Sequence, residues 1–102
     1  MRTPEELLSA AADYLEEHGW IKGEGIRADG AACALGAIWA VGGSGLKGLQ
    51  TPEETAAKEL LVERIAATGY RSYGGEPTCV PSWNDELGRT QAEVIAVLRG
   101  VA

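Results

Sequence analysis

Cys33, His18 and the adjacent Asn84 and Asp85 are the residues whose types suit covalent chemistry. A thiolate attacks, an imidazole takes and returns the proton, and an amide or carboxylate orients the imidazole. A helix capped at Asp29 is expected to hold Cys33 in its first turn, about four residues on, where the positive end of the helix dipole favours a thiolate. Cys33, His18 and Asn84 or Asp85 would then make a cysteine-dependent hydrolase or transferase. The opposing reading treats Cys33 as a small buried hydrophobe, because an apolar helix comes directly after it. His18, in the last turn of a helix, then serves the terminal carbonyls. The second reading is preferred, so no catalytic residue is assigned.

Trp83, Asn84 and Asp85 admit two roles. Asn and Asp bond their own backbone in turns, Gly88 permits a positive φ, and Thr90 caps the next helix, so the triplet reads as a corner pinned to the core by Trp83. The other role is a site for a small ligand or a protein partner, with Trp83, Tyr70 and Tyr73 as an aromatic wall and Asp85, Arg71 and Arg89 as its polar edge.

Caps and periodicity set the helices that carry these side chains. Thr3-Pro4-Glu5-Glu6 opens a helix over about 4 to 18, with Leu7, Leu8, Ala11, Tyr14, Leu15 and His18 on one stripe and Gly19 as its stop. Residues 31 to 41 contain no charged side chain, which predicts a buried central helix. Thr51-Pro52-Glu53-Glu54 opens a third helix to about Thr68 with Leu61, Val62, Ile65 and Ala66 facing inward. Thr90 with Glu93 starts the last, to about Gly100, with Val94, Ile95, Leu98 and Val101 inside. The glycine-rich run from Gly42 to Gln50 is a connection and not a phosphate loop, since it lacks the Gly-Lys-Ser/Thr ending and a leading strand. The segment from Gly69 to Gly88 exceeds ordinary connection lengths, and such loops tend to be functional or packed on their own. The expected fold is mostly α: a small single-domain bundle over 1–102, of about four helices around the central apolar one, with a long aromatic loop before the last helix.

Bulk properties narrow the partners. A net charge of −6 with scattered basic residues argues against nucleic acid and anionic membranes. A DNA-mimic role is the weaker reading of the same charges, which solvated helix faces explain. No leader segment or membrane-length apolar run is seen, which makes the expected location cytoplasmic. Cys33 and Cys79 are then expected as free thiols, with a single disulfide as the alternative. Two cysteines and one histidine without close spacing make no zinc signature, so no metal and no cofactor is expected. So many apolar helix faces on a short chain also suggest pairing into a homo-oligomer.

The motifs His18-Gly19-Trp20, Cys33 to Ile38 (CALGAI) and Trp83 to Ile95 (WNDELGRTQAEVI) resemble those of a family of small actinobacterial and actinophage proteins catalogued as a domain of unknown function. The resemblance implies membership and carries no reaction, ligand or catalytic residue onto these positions. The function expected from the residues is a non-enzymatic binding or regulatory module. It would contact a protein partner or small ligand through residues 70–85.

Overall fold

Three threonines start three helices in the same way. Thr3, Thr51 and Thr90 each accept a hydrogen bond from the backbone N–H three residues on, and Glu6, Glu54 and Glu93 reach back to the cap N–H. Each reciprocal pair satisfies two amides that the first helical turn leaves unbonded. The protein is seen in a computed structural model that describes residues 3–23, 26–43, 51–70 and 80–100. Its helices are α1 (Pro4–His18), α2 (Ala34–Gly42), α3 (Pro52–Ala67), α4 (Val80–Asp85) and α5 (Gln91–Arg99). The fold is mostly helical, as the periodicity predicts, with one helix more than expected. None of these helices is long and apolar enough to cross a membrane.

The additional helix is α4, which lies where a loop was expected. Pro81 stands in its first turn, where a missing N–H costs nothing, and six residues are too few to display a helical period. The expected central helix begins three residues later than its apolar run. Ala31 to Cys33 stay extended because Ala32 is bridged to Trp20 and to Ile26, and Ile21 N donates to Ala32 O at 3.0 Å. Asp29 therefore caps no helix. Its Oδ1 accepts from Ala31 N at 3.1 Å, closing a turn, and the cap of α2 is Cys33.

Burial tracks the helix stripes with small departures. α1 buries Leu7, Leu8, Ala11, Ala12 and Leu15, whereas His18 at its final position is exposed. The α3 stripe is Glu54, Ala57, Leu61 and Ile65, a clean i, i+3/i+4 register that leaves Val62 half-buried and turns Ala66 outward. α5 buries Val94, Val97 and Leu98, with Ile95 half-buried. α2 is buried from Ala34 to Ile38 and packs against α1, α3 and α4, while the most extensive packing belongs to α1, against α2, α3 and α5.

Two close approaches hold the helices in place. Glu54 is buried against Gly42, where a Cβ would stand 2.7 Å from the Glu54 Cδ, so only glycine lets the start of α3 meet the end of α2. Arg64 donates from Nη1 to Leu98 O at 2.6 Å and sets its charge at the C-terminal, negative end of α5.

Candidate functional site

Three consecutive residues on a helix point about 100° apart, so Trp83, Asn84 and Asp85 face three environments. Trp83 goes into the core at 1% exposure. Its ring is covered by the Arg89 guanidinium at 4.8 Å and offers no open face to a ligand. The pinned corner is thus the arrangement found for this residue, and the aromatic-wall role is not.

Asn84 is buried and makes four hydrogen bonds, none of them the local turn bond expected from its type. Its Oδ1 accepts from the Trp20 indole Nε1 at 2.7 Å and from Ala34 N at 3.0 Å. Its Nδ2 donates to Ile21 O at 3.0 Å and to Asp85 Oδ1 at 2.9 Å. Two donors facing one atom and two acceptors facing the other fix the amide orientation. Ala34 N is the first amide of α2, unbonded within its own helix, so the Asn84 side chain finishes that helix from fifty positions away. Asp85 extends the bracket: its Oδ1 also accepts from Gly23 N at 2.8 Å. The three segments around Trp20, Cys33 and Trp83 therefore meet at one amide side chain.

Cys33 completes the same helix start. Its Sγ accepts from Gly36 N at 3.3 Å, and the thiol is free but buried. Burial raises its pKa above the ordinary thiol value. Backbone N–H groups of Gly36 and Leu35 oppose that rise, and the nearby Asp85 charge adds to it. The expected dipole-activated thiolate meets desolvation and a like charge instead, and those win. His18 stands apart from this group. Its ring contacts Tyr14, with centroids 4.3 Å apart, and its Nδ1 faces Gly30, whose carbonyl accepts from the Tyr14 hydroxyl at 2.7 Å. The structure brings Cys33, Asn84 and Asp85 together at the start of α2 and joins His18 to none of them by a hydrogen bond.

On the outer side of the bracket a tight turn links α4 to α5. Arg89 N donates to Glu86 O at 3.0 Å, and Gly88 takes a φ of +87° that a side chain would resist. Arg89 clamps the turn through Nε to Trp83 O at 2.9 Å and through Nη2 to Glu86 Oε1 at 3.1 Å, and lies 5.9 Å from the centre of the Tyr70 ring. Lys22 Nζ adds a bond to Glu86 O at 3.0 Å, and Gln91 Oε1 accepts from Trp20 N at 3.2 Å. At the tip sits Leu87, 96% exposed, the one exposed large hydrophobic side chain among the described residues.

Of the residues named from sequence, Arg71 and Tyr73 lie outside the described residues, as does Cys79. Trp20, Lys22, Leu87 and Gln91 were missed. Trp20, Leu87 and Gln91 lie within the motifs that carry the family resemblance, and Leu87 also stands out as an apolar residue inside the polar run Asn84-Asp85-Glu86-Leu87-Gly88-Arg89. No described group of three or more His, Cys, Asp or Glu side chains is placed to hold a metal ion. A depression of about 540 Å³ where α3 and α5 end is lined by Arg64, Thr68, Val97 and Arg99 and contains none of the predicted site residues.

A family model described as a family of unknown function, DUF6197, matches residues 1–102. No curated protein and no solved structure matches the chain.

Proposed function

We propose, for a chain that belongs to the DUF6197 family, a non-enzymatic binding module that contacts a protein partner through the outer face of the α4–α5 corner. One observation carries this reading: Cys33, Trp83 and Asn84 are spent on the fold, and the corner they hold is left outward and clamped. Asn84 has both polar atoms bonded inside, the Cys33 thiol is held protonated, and Trp83 is sealed beneath Arg89. What remains accessible is Asp85, Glu86 and Leu87 on a clamped turn. Rigid, partly apolar surface of this kind binds with little ordering cost.

A photoreactive diazirine analogue of leucine at position 87, with a control at the exposed Glu59 on α3, tests the reading in cells that express the protein. An adduct specific to position 87 is the expected result. Equal labelling from both positions, or none from 87, refutes it.

A further inference from the structure

The geometry points to the kind of partner this corner accepts: a folded protein that offers an apolar socket for Leu87, rimmed by basic side chains. The inference rests on the binding reading above and adds the chemistry of the other surface.

A lone exposed leucine is ordinary on a protein surface and needs no explanation. Leu87 differs in how its backbone is held. It occupies the tip of a turn closed from Glu86 O to Arg89 N, with Gly88 in the left-handed region behind it. Lys22 donates to Glu86 O from one side, and Arg89 bonds both Trp83 O and the Glu86 carboxylate from the other. The tip loses little freedom when it docks, so less of the gain from burying the leucine side chain is offset by ordering. A convex apolar tip requires a concave apolar partner.

The charges around the tip set the rim. Asp85 and Glu86 flank Leu87 and are exposed. The Arg89 guanidinium is turned inward with its side chain 12% exposed, shared between Glu86 and Glu93. Among the described residues, the exposed cation bonded to this turn is Lys22, and with Arg89 turned inward the exposed Asp85 and Glu86 leave the tip acidic. A second copy of this chain fits poorly: at its depression beside Val97 the two cations are already engaged, Arg64 with Leu98 O and Arg99 with Asp13 and Glu16. Its apolar-floored groove at Ala92, Ile95 and Ala96 is edged by Glu16, and the Arg99 beside it is already held by Asp13 and Glu16. Acid would face acid there, which costs affinity.

The test uses the full chain with the diazirine residue at 87, compared with the same chain carrying D85N and E86Q. Both changes keep a side-chain oxygen for the Gly23 and Arg89 hydrogen bonds while removing the two charges, and thermal melts check that the fold is kept. The expected result is an adduct to another protein whose cross-linked peptide contains Lys or Arg beside apolar residues. Titration of that purified protein should then weaken roughly fivefold at low salt in the neutralised pair, with a flatter salt dependence. Unchanged or tighter binding, or an acidic cross-linked peptide, overturns the basic rim and leaves the binding reading standing. An adduct to a second copy, or one within a single chain, overturns the inferred partner. No adduct above the Glu59 control removes the inference together with the reading on which it rests.

Discussion

Replacing Asn84 by alanine removes the group on which the Trp20, Ala34 and Ile21 bonds converge. Ala34 N is fully buried, and an unsatisfied buried donor costs about 1 to 3 kcal/mol. Trp20 Nε1 and Ile21 O are part-buried and partly recover water, at about 0.5 to 1.5 kcal/mol each. The sum is roughly 2 to 6 kcal/mol, a large share of the stability of about 5 to 15 kcal/mol usual for a domain. Chemical denaturation followed by tryptophan fluorescence reads it directly. Asn84→Asp sharpens the test. The carboxylate still accepts from Trp20 and Ala34 but loses both donated bonds and faces Asp85 across 2.9 Å. Burial and like charge raise its folded pKa above the unfolded value, so protonation is favoured in the fold. Its deficit against the parent should be smallest below the unfolded carboxylate pKa of about 3.9 and grow as pH rises through the folded value. A loss under about 1 kcal/mol for Asn84→Ala, or a pH-independent deficit for Asn84→Asp, would refute the bracket.

Trp83→Ala should cost about 3 to 5 kcal/mol, read in the same denaturation assay, because a fully buried aromatic leaves a cavity. Gly42→Ala should destabilise by about 1 to 3 kcal/mol, and a double-mutant cycle with Glu54→Ala should return part of that loss, since the added Cβ meets the Glu54 carboxylate. In a Cys79→Ser background Cys33 should react with a thiol reagent far more slowly than a free cysteine at neutral pH, faster as pH rises, and no differently in His18→Ala. Hydrogen bonds from Arg27 and from the Ala31 N–H hold the Asp29 carboxyl down at about 2, so their contribution is present above the unfolded pKa and lost as pH falls through about 2. Asp29→Asn should therefore flatten the acid limb of the stability profile between those values, with a small amplitude because both groups are exposed.

The fold was legible wherever a local rule sufficed. Thr3, Thr51 and Thr90 announced their helices because a capping box is complete within four residues. The charge-free run announced a buried helix but not its start, because the extended pairing of Ala32 with Trp20 and Ile26 depends on a segment about ten residues earlier. The Asn84 bracket was illegible for the same reason at larger separation. Its partners lie fifty to sixty-four positions away, and the residue type alone suggests a local turn bond. Cys33 was expected at a helix start and is found there, but the burial that keeps its thiol protonated comes from packing that no dipole argument contains. Leu87 was visible in the sequence, while the clamp that makes it a rigid tip required Lys22, Trp83 and Arg89 to be placed together.

Native-state hydrogen exchange at the Trp20 indole N–H and the Ala34 amide tests the bracket most directly, because both protons are held by the one Asn84 oxygen. A bracket that keeps the corner rigid predicts that both are strongly protected, that both exchange through the same opening, and that Leu87→Ser leaves them unchanged while Asn84→Ala exposes both. An indole proton that exchanges as freely as in an unfolded peptide, or an Ala34 amide that stays protected in Asn84→Ala, would contradict it.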